Sequence, residues 1–96
     1  LDYYIVIAPE LKSKEFPLKI LSHIRDSGYS ALIDSGKRSI SKQFKEASKR
    51  LSQYVIVMGS DEESKKIVSL KNFKTSNQES MTLDDFIIFL NQPKDL

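Results

Sequence analysis

A chain of 96 residues, 40% hydrophobic and 29% charged, is long enough for one compact core and has the composition of an ordinary globular domain. It has no cysteine, which excludes disulfides, thiolate metal sites and a cysteine nucleophile. Lys and Arg number 15 against 13 Asp and Glu, a net +2, and no apolar run approaches the roughly 18 residues that span a bilayer, so no membrane partner is expected.

Tyr3-Tyr4-Ile5-Val6-Ile7-Ala8 is an unbroken apolar run that stops at Pro9, the pattern of a strand buried on both faces. Residues 14–27 then carry helical spacing, with Phe16, Ile20, Leu21 and Ile24 as the stripe, Pro17 in the first turn and Gly28 as the terminator. His23, the single histidine, is read as a helix-boundary residue, because no catalytic or metal partner lies near it. Ser30-Ala31-Leu32-Ile33-Asp34 predicts a second strand. A second helix starts at about Ser39, and Tyr54-Val55-Ile56-Val57-Met58 predicts a central parallel strand running up to Gly59.

After Gly59 the character changes. Ser60 to Lys66 reads as a polar turn, Ile67 to Phe73 as a strand, Lys74 to Gln78 as a second turn and Glu79 to Thr82 as a short return strand. Thr82 is placed to cap a last helix with Leu83, Phe86, Ile87 and Leu90 inside, which Pro93 ends. The expected architecture is an α/β three-layer α/β/α domain over residues 1–96. Its five-stranded mixed sheet has three parallel strands plus an antiparallel hairpin, and it carries three helices.

The segment from Asp34 to Arg50 carries the functional signal. On a helical wheel Ile40, Phe44, Ala47 and Leu51 fall within roughly 60° of one another, while Arg38, Lys42, Lys45 and Lys49 cluster on the opposite side. Residues 37–50 hold six Lys or Arg and one Glu, a local charge of +5, so the remainder of the chain is net acidic. Two readings stay open here: a solvated helix surface, the common fate of a charge run, or a face that contacts a phosphate backbone.

Enzymatic constellations are missing. The three glycines are scattered and match no nucleotide loop, a lone histidine excludes a two-histidine metal site, and no serine sits in a nucleophile elbow. Asp61, Glu62 and Glu63 form an acidic group, read as a solvated turn, a structural cap or a base-recognition site.

Asp34, Arg38-Ser39-Ile40 and Lys42-Gln43-Phe44-Lys45, with Ala47 in register, resemble the anticodon-binding domain of class IIa aminoacyl-tRNA synthetases, and the histidyl-tRNA synthetase branch most closely. That branch typically shows an Asp closing the second strand, then Arg-Ser-Leu, a spacer and Lys-Gln-Phe-Lys-x-Ala. Tyr54 to Gly59, the pair Gly59 and Glu62, and Val68 to Phe73 are similar to its third strand, its Gly-x-x-Glu and its Val-x-Val-Lys-Asp-Leu. Two departures stand out: a hairpin-turn glycine is replaced near Lys66, and Asn72 stands for an Asp.

The resemblance implies a tRNA partner, the anticodon loop of a histidine-specific tRNA. It implies phosphate contacts from Arg38, Lys42, Lys45 and Lys49, and base contacts from Gln43, Glu62 and Lys71, with Gln43 alternatively a helix cap. Asp34 would hold the turn into the helix. This stretch needs no cofactor; ATP and histidine would be used by the catalytic domain of a longer, homodimeric, cytoplasmic parent, consistent with a first residue that is Leu rather than Met. Alternatives are a synthetase-like tRNA-sensing module of a regulatory protein and a small α/β protein-interaction domain.

Overall fold

The computed structural model describes residues 1–92, so the helix stop expected at Pro93 lies outside the described residues. At its centre is β1 (Tyr3–Ile7), every residue of which is buried. It pairs in parallel with β2 (Ala31–Ile33) on one side and with β3 (Tyr54–Met58) on the other. β4 (Ile67–Asn72) runs antiparallel to β3, and β5 (Gln78–Thr82) antiparallel to β4, giving the order β2-β1-β3-β4-β5. The expected mixed sheet of three parallel strands plus a hairpin is borne out.

Alternation along the strands sorts side chains into two unequal cores. Tyr3, Ile5, Ile7, Ile56, Met58, Val68 and Leu70 join Phe16, Ile20, Leu21 and Ile24 of α1 (Glu15–Asp26) and Phe86 and Leu90 of α4 (Leu83–Asn91). On the opposite face Tyr4, Val6 and Val55 meet Ala47 of α2 (Ile40–Lys49), with Phe44 and Phe73 packed at the margin. Among the described residues, the ten-residue α2 is the helix that packs on that smaller core. The outer part of the face, Ser69 and Lys71 of β4 with Gln78 and Ser80 of β5, therefore stays half-buried or exposed.

Helix ends follow the local chemistry. Pro17 sits in the first turn of α1, and Gly28, at φ 91, closes that helix with Gly28 N–H donating to Arg25 O and Tyr29 N–H to Ile24 O. The Thr82 hydroxyl accepts from Asp85 N–H at 3.1 Å and starts α4.

Three expectations need correction. There are four helices among the described residues, because Ser60–Lys65 forms α3 where a polar turn was read. Its six residues hold no apolar stripe to announce it. It is fixed at its start by the Glu62 carboxylate, which accepts from Gly59 N–H at 2.8 Å, and by three acidic residues facing the positive end of the helix. Leu51 does not extend the inner face of α2; it lies beyond the helix at φ 56 and is 83% exposed. Arg38 is not on the helical wheel either, since Ser39 is the N-cap and the helix begins at Ile40.

Candidate nucleic-acid interface

The turn that launches α2 is built on a buried carboxylate. Asp34 Oδ1 accepts from Gly36 N–H at 3.0 Å, while Oδ2 accepts from the Tyr4 hydroxyl at 2.5 Å and from Arg38 Nη2 at 2.9 Å. Burial pushes the Asp34 carboxyl up, but these donors outweigh it and hold the group below the usual carboxylate range. The Tyr4 phenol is raised to about 12, first by burial and then by its bond to Asp34. Gly36 is obligatory here: it sits at φ +79, and a Cβ on it would meet Ile7 Cγ2 at 2.9 Å. Arg38 is thus an exposed cation whose guanidinium is held at Nη2 by Asp34, and the aspartate sits in the turn into the helix where the sequence reading put it.

Gln43 is withdrawn from the base-contacting set. It is fully buried, and its carboxamide donates to Ile7 O at 2.6 Å and Arg38 O at 2.9 Å while accepting from Ile7 N–H at 2.8 Å. No polar atom of it faces outward. Helical spacing could have shown this, because Gln43 lies on the arc between Arg50 and Ala47, within roughly 60° of Ile40, on the side of the wheel that turns inward.

Lys42, Lys45 and Lys49 are exposed on the outer side of α2, and among the described residues their ammonium groups have no ion-pair or hydrogen-bond partner. Arg50, by contrast, is tied to Glu46 at 2.7 Å. Three unneutralised cations on one helix face leave a positive strip in water.

Beside that strip lies the open part of the sheet. Lys71 points its Nζ at two rings, 5.7 Å from the Phe44 centroid and 6.0 Å from that of Phe73. The two rings are themselves 6.1 Å apart at 34°. Sequence reading picked out Lys71 but missed these aromatics; strand alternation, which sends Lys71 and Phe73 to one face, was the available signal. At the α3 end of this face, Glu62 spends one oxygen on Gly59 N–H, while the other accepts from the Ser69 hydroxyl at 3.3 Å. Glu62 is therefore a helix cap in the first place. Among the described residues there is no group of three or more His, Cys, Asp or Glu that could hold a metal, and no helix long and apolar enough to cross a membrane.

An α/β sheet with one half-covered face, bordered by a cationic helix, is the class of domain that fold and surface define. The sequence profile of the family described as "Anticodon binding domain" matches residues 3–92. The histidine–tRNA ligase of Bacillus licheniformis is 37% identical over 90 residues, covering 94% of this chain and 21% of that protein. The histidine–tRNA ligase of Symbiobacterium thermophilum is 37% identical over 92 residues, covering 96% and 21%. Among solved structures, apo S. aureus histidyl-tRNA synthetase superposes with a TM-score of 0.79 at 28% identity over 95% of this chain and 26% of that one. The RNA binding domain of a threonyl-tRNA synthetase from Cryptosporidium parvum gives 0.80 at 26% identity, over 93% and 22%. The chain belongs to the anticodon-binding domain family. It spans about a fifth of the length of the histidine–tRNA ligases it matches.

Proposed function

We propose that this chain recognises the anticodon loop of a histidine-specific tRNA, as the anticodon-binding domain of a histidyl-tRNA synthetase. The observation that carries the reading is the strip of Lys42, Lys45 and Lys49, unneutralised and next to an open, partly aromatic sheet face in a domain of this family. Phosphates would be met by these lysines and Arg38, setting the register of the loop, while base edges exposed in the loop would be read on the sheet. Lys71 supplies a donor there, and Glu62 Oε2, which accepts a 3.3 Å bond from Ser69, supplies an acceptor. The fold is shared with a threonyl enzyme's RNA binding domain, so the support for histidine specificity is the 37% identity to histidine–tRNA ligases and not the architecture.

The catalytic step, ATP-dependent joining of histidine to tRNA, belongs in this reading to a catalytic domain elsewhere in a cytoplasmic, homodimeric parent. Nitrocellulose filter binding of tRNA at graded salt tests the phosphate contacts. Replacing Lys42 and Lys45 with Gln should flatten the log–log salt slope by roughly 0.7–0.9 per lost contact. A slope equal to that of the unsubstituted chain would remove both lysines from the interface.

A further inference from the structure

We propose that the cavity between the β4–β5 turn and α4 is a site for one guanidinium group, held by the Glu79 carboxylate. It lies on the side of the larger core, away from α2, and does not rest on the RNA-binding reading.

The cavity measures about 170 Å³. Pockets for drug-sized ligands run to about 300–1,000 Å³, so this one suits a group the size of a single side chain. Its floor is apolar: Leu70 of β4 belongs to the larger core, and Tyr54 of β3 and Phe89 of α4 pack against it. Its rim is polar and comes from the turn. Asn72 Oδ1 accepts from Lys74 N–H at 2.8 Å and from Thr75 N–H at 3.2 Å. Asn77 N–H donates to Thr75 Oγ1 at 3.3 Å, and Asn77 O accepts from Asn72 N–H at 2.9 Å. These bonds fix the backbone that carries Asn77. Glu79 stands opposite Leu70 across the two strands, which puts both side chains on one face of the sheet.

The cavity has hydrogen-bonding capacity to spare. Among the described residues, the Glu79 carboxylate, the Asn77 carboxamide and the Tyr54 hydroxyl have no hydrogen-bond or ion-pair partner. The lining holds no Lys, Arg or His, so its formal charge is that of Glu79 alone. A charge on an edge strand protects it from pairing with another chain, but that role requires neither a cavity nor spare acceptors beside the charge.

A carboxylate beside an apolar floor attracts a cation more strongly than one in open water, because the floor lowers the local dielectric. Guanidinium suits the site better than ammonium. Its planar fork matches both carboxylate oxygens, and it is less strongly hydrated. It also has further N–H donors for the oxygens of Asn77 and Tyr54. The methylene stem of an arginine can cover Leu70 and Phe89 while its head meets the rim. Free arginine and an arginine side chain in a polypeptide share this chemistry.

The test is a nitrogen–proton NMR titration of the chain with four compounds: free arginine, N-acetyl-arginine amide, N-acetyl-lysine amide and the neutral N-acetyl-citrulline amide. Both arginine compounds should give saturable shifts centred on Asn77 and Glu79. The lysine and citrulline compounds should bind about 10-fold more weakly or worse. Glu79→Gln, at an exposed position, should leave the rest of the spectrum in place and weaken arginine by about 10-fold or more. Capped arginine binding as tightly as free arginine supports the site with a polypeptide side chain as the source; tighter binding of free arginine supports it with the amino acid as the source. Citrulline or lysine binding as tightly as arginine, arginine binding that survives Glu79→Gln, or no saturable shift with millimolar arginine each overturns the proposal. None of these outcomes touches the salt slope of tRNA binding, on which the RNA-binding reading is tested.

Discussion

The carboxamide of Gln43 bridges the two backbone groups of Ile7, donating to its carbonyl at 2.6 Å and accepting from its N–H at 2.8 Å. The sheet explains why. Tyr3 N–H and Ile5 C=O bond to the β2 side, at Ser30 and Asp34, so Ile7 on the same alternation faces that side too. There β2 has already ended at Ile33 and the chain turns away toward α2. Gln43 stands in for the missing strand residue and also binds Arg38 O, locking α2 to the centre of the sheet.

Gln43→Leu keeps similar bulk but orphans Ile7 N–H, Ile7 C=O and the side-chain bond of Arg38 C=O. Each buried group left unpaired costs about 1–3 kcal/mol, and the apolar burial that leucine adds together with local relaxation offsets part of the sum, so a loss of roughly 2–5 kcal/mol is expected, with urea denaturation as the measurement. Loss of less than about 0.5 kcal/mol, the scale of an ordinary surface substitution, would mean the bridge contributes little.

The Asp34 network gives a pH dependence with a definite sign. Its folded pKa lies below the unfolded value, so its contribution is complete above the ordinary carboxylate range, near 3.8, and is lost as pH falls through the depressed folded value. Tyr4 behaves oppositely: its folded pKa of about 12 lies above the ordinary 10.0, so its contribution is complete below pH 10 and fades as pH rises toward 12. Tyr4→Phe removes one of the donors to Asp34 and should cost about 1–2 kcal/mol at neutral pH. It should also lessen the acid-induced loss of stability in melts compared across pH 2 to 6, since a weaker network depresses the Asp34 pKa less. An acid limb identical to that of the unsubstituted chain would disconnect Tyr4 from the titration of Asp34.

Left-handed backbone appears where glycine would be easier. Leu51 follows the end of α2 at φ 56, with Leu51 N–H donating to Ser48 O and Ser52 N–H to Ala47 O, a helix-closing pattern whose left-handed residue is usually a glycine. Its side chain is 83% exposed and has little burial to lose. Leu51→Gly should therefore stabilise the chain by about 0.5–1 kcal/mol, as relief of the strained conformation exceeds the added freedom of the unfolded chain. Gly36→Ala is the opposite case, with both a positive φ and a 2.9 Å clash on Ile7, and should cost more than about 1 kcal/mol. Thermal melts that move both variants in one direction would contradict this account.

These positions also mark the limits of the sequence reading. The strands and the amphipathic faces of α1, α2 and α4 were legible because periods of 2 and 3.6 leave an apolar trace, from Tyr3 to Ala8 and from Ile40 to Ala47. α3 leaves none: its six residues are Ser, Asp, Glu, Glu, Ser and Lys, and it is held by a side-chain cap instead of a buried face. Leu51 misled because its spacing continues that of Ala47, while the chain has already left the helix at Arg50. In the site, the cations were legible from charge alone. The inward side of the wheel was there to be read for Gln43, but its partners were not, since they are backbone groups of a strand 36 residues away. Lys66, where a turn glycine is expected, takes φ 56 itself and lays its ammonium 5.2 Å from the Phe16 ring, so the turn keeps a left-handed form without the glycine.

Glu62 tests whether a cap can also read RNA. One oxygen holds Gly59 N–H, and the other faces the sheet through Ser69. Glu62→Gln retains a carbonyl acceptor for the Gly59 N–H and should change stability by less than about 1 kcal/mol, whereas Glu62→Ala forfeits the cap and should cost about 1 kcal/mol or more. The two variants separate folding from recognition, because Gln also replaces an anionic acceptor on the sheet side with a group that can donate. If a base amino or imino group is received there, Glu62→Gln should narrow the affinity gap between tRNA transcripts with the histidine anticodon and those with a changed one. Affinity for unrelated anticodons should rise toward that for the cognate, with the salt slope unaltered, since no phosphate contact has gone. An unchanged gap in a well-folded Glu62→Gln chain would confine Glu62 to the start of α3 and leave base reading to the Lys71 side of the face.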